Sequence, residues 1–392
     1  MTNPDTTKQP VILAARRTVV GRFLGGLSRV SATDLGSFAL KAATEDSGID
    51  PSSIDECIMG CVLQAGLGQN PSRQAGLKAG LPSSLSAVTV NKVCGSGLQA
   101  VMQAAQSIKA GDNNIVLAGG MENMSRSPHL ANVRSGIKFG EGALIDHMQH
   151  DGLTCPFEGW GMGSAAEWTA ETFDISREAQ DAYAAQSHQR AAKAISEGWF
   201  DAEQITFEAS KIKQRSDVVA DEGVRGDSTA ESLGKLRPAF AKEGSVTAGN
   251  ASQISDGAAA IVVATPDTDR EVLARIVDYN TQGVEPKEIF TAPGLGISSL
   301  LNRNNLTVDD IDLFEINEAF AVQVLQNLSH LGIDQSKVNV CGGGIALGHP
   351  IGGSGARVLV TLIHQMRRID AKRGVVSLCL GGGNAVSMLI ER

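Results

Sequence analysis

Cys94 stands in a local pattern that favours chemistry over packing. It lies in NKVCGSGLQA (91–100), where a strand is expected to turn into a helix whose first amides point at the sulfur. A helix N-terminus stabilises a thiolate and so creates a nucleophile. A small buried cysteine is the alternative, but the flanking glycines permit close backbone approach and favour a functional role.

His349 is the second candidate. It lies in GGGIALGHPIGGSGAR (342–357), a segment with seven glycines that does not need a histidine for packing. A histidine hydrogen-bonded near a thiol can take its proton. A structural histidine at a turn is the alternative, and the local sequence leaves both interpretations open.

Two further residues acquire interest only from their surroundings. Cys379 lies in SLCLGGGNA (377–385), at the end of an apolar run, and taken alone it is better explained as a core cysteine. Asn317 lies in FEINEAF (314–320), at the C-terminal end of an expected strand, and taken alone it is better explained as a turn asparagine.

The elements that must position these residues come from an internal repeat. GIDPSSIDECIMGCV (48–62) has a counterpart in NLTVDDIDLFEINEA (305–319), with Ile54 matching Ile311 at an offset of 257 residues. Gly-Ser-Gly at 95–97 recurs at 353–355, at an offset of 258 residues. Because the two offsets agree, the sequence predicts two similar halves.

Each half is expected to be α/β. Apolar residues follow both Gly-Ser-Gly segments at helical spacing, and the wider apolar face of the second helix predicts deep burial. Short apolar runs at 113–120 and 374–383 then predict central strands. The region between, about 120–268, is richer in polar residues, contains a helical stretch at 177–195, and is interpreted as an insertion that carries binding loops.

The repeat changes the weight of the individual residues. Cys94 and the glycine-rich loop of His349 occupy equivalent places in two halves that would face each other across a pseudo-twofold axis. Binding and catalytic sites of such sheets converge at the strand ends. We therefore expect both residues in one site.

Composition excludes several classes of protein. The chain has 392 residues, 44 of them glycines, and is longer than one hydrophobic core usually supports. Its net charge of −9 argues against nucleic-acid or anionic-membrane partners. The N-terminus, MTNPDTTKQP, lacks the features of a secretory signal, and no apolar run approaches the roughly 20 residues of a membrane span. Six scattered cysteines indicate reduced thiols and a cytoplasmic location.

Cofactor sites are not expected. No strand–GxGxxG–helix unit with a following acidic residue is present, which argues against NAD or FAD. Cys57 and Cys61 flank an apolar strand without a paired histidine or cysteine cluster, so they predict core packing and no metal site.

At its four motifs the sequence resembles the thiolase family, from about residue 10 to the C-terminus. NKVCGSG matches the nucleophile motif, NEAF the asparagine motif, GGGIALGHPIGGSGAR the histidine motif and CLGGG the second-cysteine motif, in the family's order and spacing. The resemblance implies a five-layer αβαβα core of two similar α/β halves, residues 1–120 and 269–392, with an inserted loop domain at 121–268.

The resemblance also implies roles. Cys94 would be acylated by acyl-CoA, His349 would activate Cys94, and Cys379 would remove or return the α-proton of the second acetyl group. Asn317, through a bound water, and His349 would form one oxyanion hole, and the backbone amides of Cys94 and Gly381 would form another.

Within the insertion the resemblance implies a CoA site and no metal or other cofactor, since CoA and acyl-CoA are substrates. Arg225 would lie near the nucleotide phosphates, and Ser252 would hydrogen-bond the pantetheine arm. The other expected contacts are Leu153, Met162, Ser232, Phe240, Ala248, Ile254, Ala319 and Phe320. A homodimer or homotetramer is implied, with 126–145 as the tetramer contact.

Four departures from the family pattern are expected to touch the acyl and pantetheine pocket. They are Gly161 in place of histidine, Ser255 in place of asparagine, Asn384-Ala385 in place of a residue–glycine pair, and APGLGISS at 292–299 in place of the usual loop. They leave the acyl chain length open.

The resemblance thus implies reversible Claisen condensation, with two acetyl-CoA units giving acetoacetyl-CoA and CoA favoured. A longer-chain degradative 3-ketoacyl-CoA thiolase and a catalytically silent CoA-binding protein are the alternatives. A decarboxylating ketoacyl synthase is disfavoured, because those enzymes lack the second catalytic cysteine that Cys379 provides.

Overall fold

A computed structural model of the chain describes residues 9–212 and 216–392. Most of the polar N-terminal segment used above to argue against a secretory signal, residues 1–8, lies outside the described residues. The strands are β1 (Val11–Thr18), β2 (Gly21–Arg22), β3 (Glu56–Gly60), β4 (Ser86–Val90), β5 (Ile115–Asn123), β6 (His129–Leu130), β7 (Ile145–Asp146), β8 (Gln204–Ile205), β9 (Ser255–Ala264), β10 (Ala274–Gly283), β11 (Leu313–Ile316), β12 (Arg373–Leu380) and β13 (Asn384–Glu391). The helices are α1 (Ala32–Ser47), α2 (Pro71–Lys78), α3 (Ser96–Ala110), α4 (Met162–Thr172), α5 (Arg177–Ser196), α6 (Ala209–Ile212), α7 (Ala230–Gly234), α8 (Ala292–Arg303), α9 (Ala321–Leu331), α10 (Gly344–Leu347) and α11 (Ile351–Arg368).

The main sheet contains the same four-strand arrangement twice, and the first half has one further edge strand, β4. Its first half has the order β4-β3-β5-β9-β1, and its second half has the order β11-β12-β13-β10. In the first half β3 is parallel to β5 and β9 is antiparallel to β5, and in the second β11 is parallel to β12 and β13 is antiparallel to β12. This duplication confirms the two similar α/β halves predicted from the repeat.

The two halves meet at one sheet edge and around two central helices. Strands β1 and β10 pair antiparallel over two positions, Val11 with Arg275 and Ile12 with Ala274. Helices α3 and α11 share one core cluster with residues of both halves. Helices α1 and α2 pack on the outer face of the first half, and α8 and α9 on the outer face of the second, which gives five layers.

Helix α11 is the centre of this core. Every residue from Ile351 to Ile363 is buried, as the width of its apolar face predicted. A Cβ atom added to Gly97 of α3 would lie 2.7 Å from the backbone nitrogen of Ala356, and one added to Gly355 would collide with the backbone nitrogen of Leu98. The Gly-Ser-Gly repeat therefore permits the two helix starts to cross in close contact.

The insertion is shorter than the sequence indicated. Strand β5 continues to Asn123, and β9 (Ser255–Ala264), which had been assigned to the insertion, lies inside the first-half sheet between β5 and β1. All ten residues of β9 are buried, because its alanines, isoleucine and valines are covered on both faces. The segment between the end of β5 and the start of β9 is 124–254, where the sequence predicted 121–268, and its short strand β8 pairs with β1.

Within the described ranges, no helix combines the length and apolarity that crossing a membrane requires. Nor do those ranges bring three or more His, Cys, Asp or Glu side chains together in a way that could hold a metal ion.

Candidate active site

A cavity of about 690 Å³ opens where the strand ends of the two halves meet. Cys94, His349, Cys379 and Gly381 all lie on its wall. Cys94 comes just before α3, His349 just before α11, Cys379 near the end of β12, and Gly381 in the turn that follows. The topology thus brings together residues from both ends of the chain.

Cys94 is held by a strained turn. Val93 has a φ of +47°, a conformation that costs a β-branched residue on the order of 1–3 kcal/mol. The hydroxyl of Ser96 closes this turn by donating to the Val93 carbonyl (2.6 Å) and accepting from the Lys92 amide (2.8 Å). The sulfur is only partly covered and faces the cavity.

The Cys94 thiol has a raised pKa, whereas the sequence predicted a stabilised thiolate. Burial raises the pKa of Cys94 to about 12, and the charge on Glu122 also raises it. The backbone amides of Cys94 and Gly381 act in the opposite direction, but they do not offset burial. Burial therefore opposes the thiolate that the sequence predicted, which stays a prediction, and removal of the Cys94 proton calls for a base.

His349 is the candidate for that base: its imidazole is neutral, although its lowered pKa makes it a weak base at rest. Its Nδ1 lies 2.6 Å from Ser354 Oγ, and the same hydroxyl donates to the Pro350 carbonyl at 2.9 Å. Ser354 must then accept the proton on Nδ1, which leaves the lone pair on Nε2. Burial, helped by the nearby Arg357 cation, lowers the pKa of His349 to about 3.

Asn317 lies behind His349 and not on the cavity wall. It follows β11, and its Nδ2 is 3.4 Å from His349 Nε2. Its Oδ1 is buried, and no described residue hydrogen-bonds it. A buried polar atom of this kind is suited to hold a water molecule.

Cys379 is buried in β12, on the cavity wall opposite the start of α3. Burial raises the pKa of its thiol well above the usual value, and the neighbouring Cys94 raises it further. Both sulfur groups are thus protonated at rest.

Most of the expected CoA contacts also line the cavity. They are Leu153, Met162, Arg225, Phe240, Ala248, Ser252, Ile254, Ala319 and Phe320. Ser252 is fixed by its backbone amide, which donates to the Ala319 carbonyl at 2.9 Å. Phe320 is packed edge-on between Phe240 and Phe290.

Ser232 is the exception among these contacts. It is exposed and does not line the cavity. Its hydroxyl and amide instead exchange hydrogen bonds with Thr229 in a capping box at the start of α7.

Three of the four departures also lie elsewhere than expected. Gly161 lines the cavity, but Ser255, Asn384-Ala385 and 292–299 do not. Ser255 donates to the Gln253 carbonyl, and Asn384 begins β13. The segment 292–299 is the first part of α8 and packs on the outer face of the second half.

Sequence reasoning missed three polar residues around the site, of which Ser354 and Glu122 are buried and Gln253 is half-buried. Ser354 sets the His349 tautomer, and its signal was the Gly-Ser-Gly repeat that also contains Ser96. Gln253 anchors the His349 loop by donating to the carbonyls of Gly223 and Ile345. Glu122 binds backbone amides beside Cys94, although its segment suggested only CoA binding.

A larger cleft, of about 1020 Å³, lies elsewhere on the molecule. Its lining includes Trp199, Arg270, His364 and Arg367, but none of the cysteines and none of the expected site residues. The chemistry is therefore assigned to the smaller cavity.

Comparison with known proteins agrees with this geometry. Residues 10–267 match the model of the thiolase N-terminal domain, and residues 270–392 match that of the thiolase C-terminal domain. The chain is 49% identical over 391 residues to "Acetyl-CoA acetyltransferase" of Cupriavidus necator (97% of this chain, 99% of the relative) and 50% identical over 391 residues to that of Escherichia coli K12 (98% and 99%). It is 48% identical over 388 residues to "Probable acetyl-CoA acyltransferase" of Staphylococcus aureus COL (97% and 98%). The chain belongs to the thiolase family.

Proposed function

We propose that this protein is an acetyl-CoA acetyltransferase, which joins two acetyl-CoA molecules reversibly into acetoacetyl-CoA and free CoA. The observation that carries the proposal is the presence of two thiols and a neutral histidine on one cavity wall. One thiol can hold an acyl group while the second handles a proton of the other substrate.

In the first half-reaction, His349 Nε2 takes the proton of Cys94, and the sulfur attacks the thioester carbon of acetyl-CoA. The oxyanion of the tetrahedral intermediate accepts from the amides of Cys94 and Gly381, which already face the Cys94 sulfur. The intermediate collapses with loss of the CoA thiolate, which regains the proton from His349. The product is an acetyl group on Cys94.

In the second half-reaction, Cys379 first gives its proton to His349, which is free again after CoA has left, and the Cys379 thiolate then removes the α-proton of a second acetyl-CoA. The enolate oxygen lies beside His349 and a water held by Asn317, and the α-carbon attacks the acetyl carbonyl on Cys94. The new carbon–carbon bond forms as the bond between the acetyl carbon and Cys94 sulfur breaks, and the released Cys94 thiolate takes the proton from His349. Thiolysis runs through the same steps in reverse.

The CoA itself lies along the insertion side of the cavity. Arg225 is exposed at the rim, where a guanidinium can meet phosphate oxygens on a protein of net negative charge. Ser252 and the apolar wall of Leu153, Met162 and Phe320 would receive the pantetheine arm. No further cofactor is part of the proposal.

Assembly and location are also proposals. We infer that copies of the chain associate as dimers or tetramers, with 126–145 as the tetramer contact. Val133, Ile137, Phe139 and Leu144 of this segment are all exposed apolar side chains, which supports the inference. All six cysteines are free, which supports a reducing, cytoplasmic location.

Thiolysis tests the proposed function directly. The purified protein is mixed with free CoA and with acetoacetyl-CoA or 3-ketoacyl-CoAs of increasing chain length, and loss of the ketoacyl-CoA absorbance is followed. Activity greatest with acetoacetyl-CoA supports the acetyltransferase. A rise with chain length would instead identify a degradative 3-ketoacyl-CoA thiolase, and no activity on any chain would identify a silent CoA-binding protein.

A further inference from the structure

Glu122 is a fully buried carboxylate next to the site, and the reaction steps above do not use it. It lies near the end of β5, and its oxygens accept from the backbone amides of Val62 (3.0 Å), Leu63 (3.1 Å) and Gly352 (3.0 Å). The Cys61 thiol is 3.7 Å away. No cationic side chain in the described ranges forms an ion pair with Glu122, so its charge is stabilised by amide dipoles.

The residues held by Glu122 are those that surround the nucleophile. Val62 and Leu63, together with Ile351, which precedes Gly352, belong to one apolar cluster against which Cys94 packs. A Cβ atom on Gly352 would lie 2.7 Å from Glu122 Oε2, so the contact leaves room only for glycine. One carboxylate therefore joins the loop after β3 to the start of α11, two residues after His349 in the chain.

The internal repeat relates the contact between Glu122 and Gly352 to the position of Cys94. At the offset of 258 residues, Gly352 is the counterpart of Cys94, so the two helix starts are equivalent positions. The amides of Cys94 and Gly381 face the Cys94 sulfur, whereas the Gly352 amide at the start of α11 is occupied by the Glu122 carboxylate. The positive end of α11 is thus neutralised beside the thiol.

We propose that Glu122 is a positioning residue that fixes the loop 61–63 and the start of α11 around Cys94, and that its charge adds to burial in disfavouring the Cys94 thiolate. The inference rests on the proposed function for its effect on turnover. It makes a separate claim about the thiol that needs no acyl-CoA.

Two variants separate charge from position. Glu122→Gln removes the charge and replaces one acceptor oxygen by a donor, whereas Glu122→Asp keeps the charge but shortens its reach. Each is compared with the wild type and with Glu45→Gln, an exposed acid on α1. The readouts are kcat and KM in thiolysis, and the rate at which iodoacetamide labels Cys94, followed by peptide mass spectrometry at about pH 8.5, where most Glu122 is charged.

For Glu122→Gln we expect Cys94 labelling to accelerate about tenfold for each unit by which the thiol pKa falls. We expect kcat to fall about tenfold, as for a lost hydrogen bond to a buried charge, with KM changed less than twofold. Glu122→Asp should label at the wild-type rate and still lose kcat. Cys57 is the internal control: it is buried, and faster labelling of Cys57 too would mean loosened structure and overturn the charge effect.

If Cys94 in Glu122→Gln is labelled at the wild-type rate, the claim about charge is overturned. If both variants keep the wild-type kcat in thiolysis, the claim about position is overturned. If Glu122→Gln does not fold, Glu122→Asp still tests position through kcat, and wild-type kcat would reject it. If the wild type has no thiolase activity, the labelling comparison still decides the claim about the thiol.

Discussion

Ser354 Oγ accepts a hydrogen bond from Nδ1 of His349 because the hydroxyl proton is already donated to the Pro350 carbonyl. The imidazole is thereby held as the tautomer whose Nε2 carries the lone pair, 3.4 Å from Asn317 Nδ2. Since the serine is on α11 and the histidine just precedes this helix, the helix start itself aligns the base.

Ser354→Ala removes this alignment while leaving His349 in place. We expect kcat for thiolysis to fall about tenfold, since a buried donor loses its partner at a cost on the order of 1–3 kcal/mol, while KM changes little. Ser37→Ala is the matched control, because Ser37 is also a buried helical serine that donates to a main-chain carbonyl. A kcat for Ser354→Ala within twofold of the control would contradict the role.

Cys94→Ala and Cys379→Ala should fail at different steps. Cys94→Ala is expected to form no acyl-enzyme with acetyl-CoA, whereas Cys379→Ala should be acylated on Cys94 but neither make nor cleave the carbon–carbon bond. Intact-protein mass spectrometry and thiolysis assays distinguish these outcomes. Cys57→Ala, a buried core cysteine, is the control. Normal turnover by Cys379→Ala in both directions would contradict the two-cysteine mechanism.

The raised pKa of Cys94 predicts how its reactivity depends on pH. Because the thiolate is the nucleophile and the pKa is about 12, labelling of Cys94 by iodoacetamide should rise about tenfold per pH unit between about pH 7 and 10, without a plateau. A denatured sample, with thiol pKa values near 8.5, should begin to level off within this range. A plateau in the folded protein at or below about pH 8 would show a standing thiolate instead.

Gly161 is the departure that can alter substrate choice. Its φ of −75° and ψ of 161° suit any residue, and an added Cβ would lie no nearer than 3.8 Å to Gln149 or the Leu153 carbonyl. Gly161→His should therefore fold with an unchanged Tm and fill part of the cavity. We expect kcat/KM to fall more for long 3-ketoacyl-CoAs than for acetoacetyl-CoA.

Glu158→His is the control for this substitution, because Glu158 lies in the same turn, is exposed and is outside the cavity. Equal effects on all chain lengths in Gly161→His would mean that position 161 does not determine chain length.

The exposed segment 126–145 predicts an association that can be weakened. Phe139 is fully exposed and Leu144 is 71% exposed, so a double Phe139→Glu, Leu144→Glu variant should replace a tetramer by a smaller species. Light scattering after size exclusion measures the mass. Lys138→Glu controls for the added negative charge. An unchanged mass in the double variant would place the contact elsewhere.

Much of the fold could be predicted from the sequence, because the repeated motifs of the two halves recur at a nearly constant sequence offset. Ile54 and Ile311, and the two Gly-Ser-Gly segments, recur at almost the same offset, and this alone identifies the facing helices α3 and α11. Strand β9 was assigned to the insertion because it begins at Ser255, 132 residues after β5 ends at Asn123. Only its pairing with β5 shows which sheet it joins.

The charge state of the site could not be predicted in the same way. The amides near Cys94 are visible locally, but the burial that outweighs them comes from segments around residues 62, 153, 254 and 351. Glu122 looked like part of a CoA loop, because the sequence does not show that its carboxylate turns toward Gly352. Ser232 was expected to contact CoA, but its hydroxyl forms hydrogen bonds at the start of the short helix α7.

The division of the site between the two halves has a consequence for the newly made chain. Cys94 belongs to the first half, and its proton acceptor His349 arrives 255 residues later, on a helix that must dock between both sheets. A chain with only the first half folded carries a cysteine without a base to activate it. The complete pair of nucleophile and base therefore exists only when the C-terminal half has folded against the first.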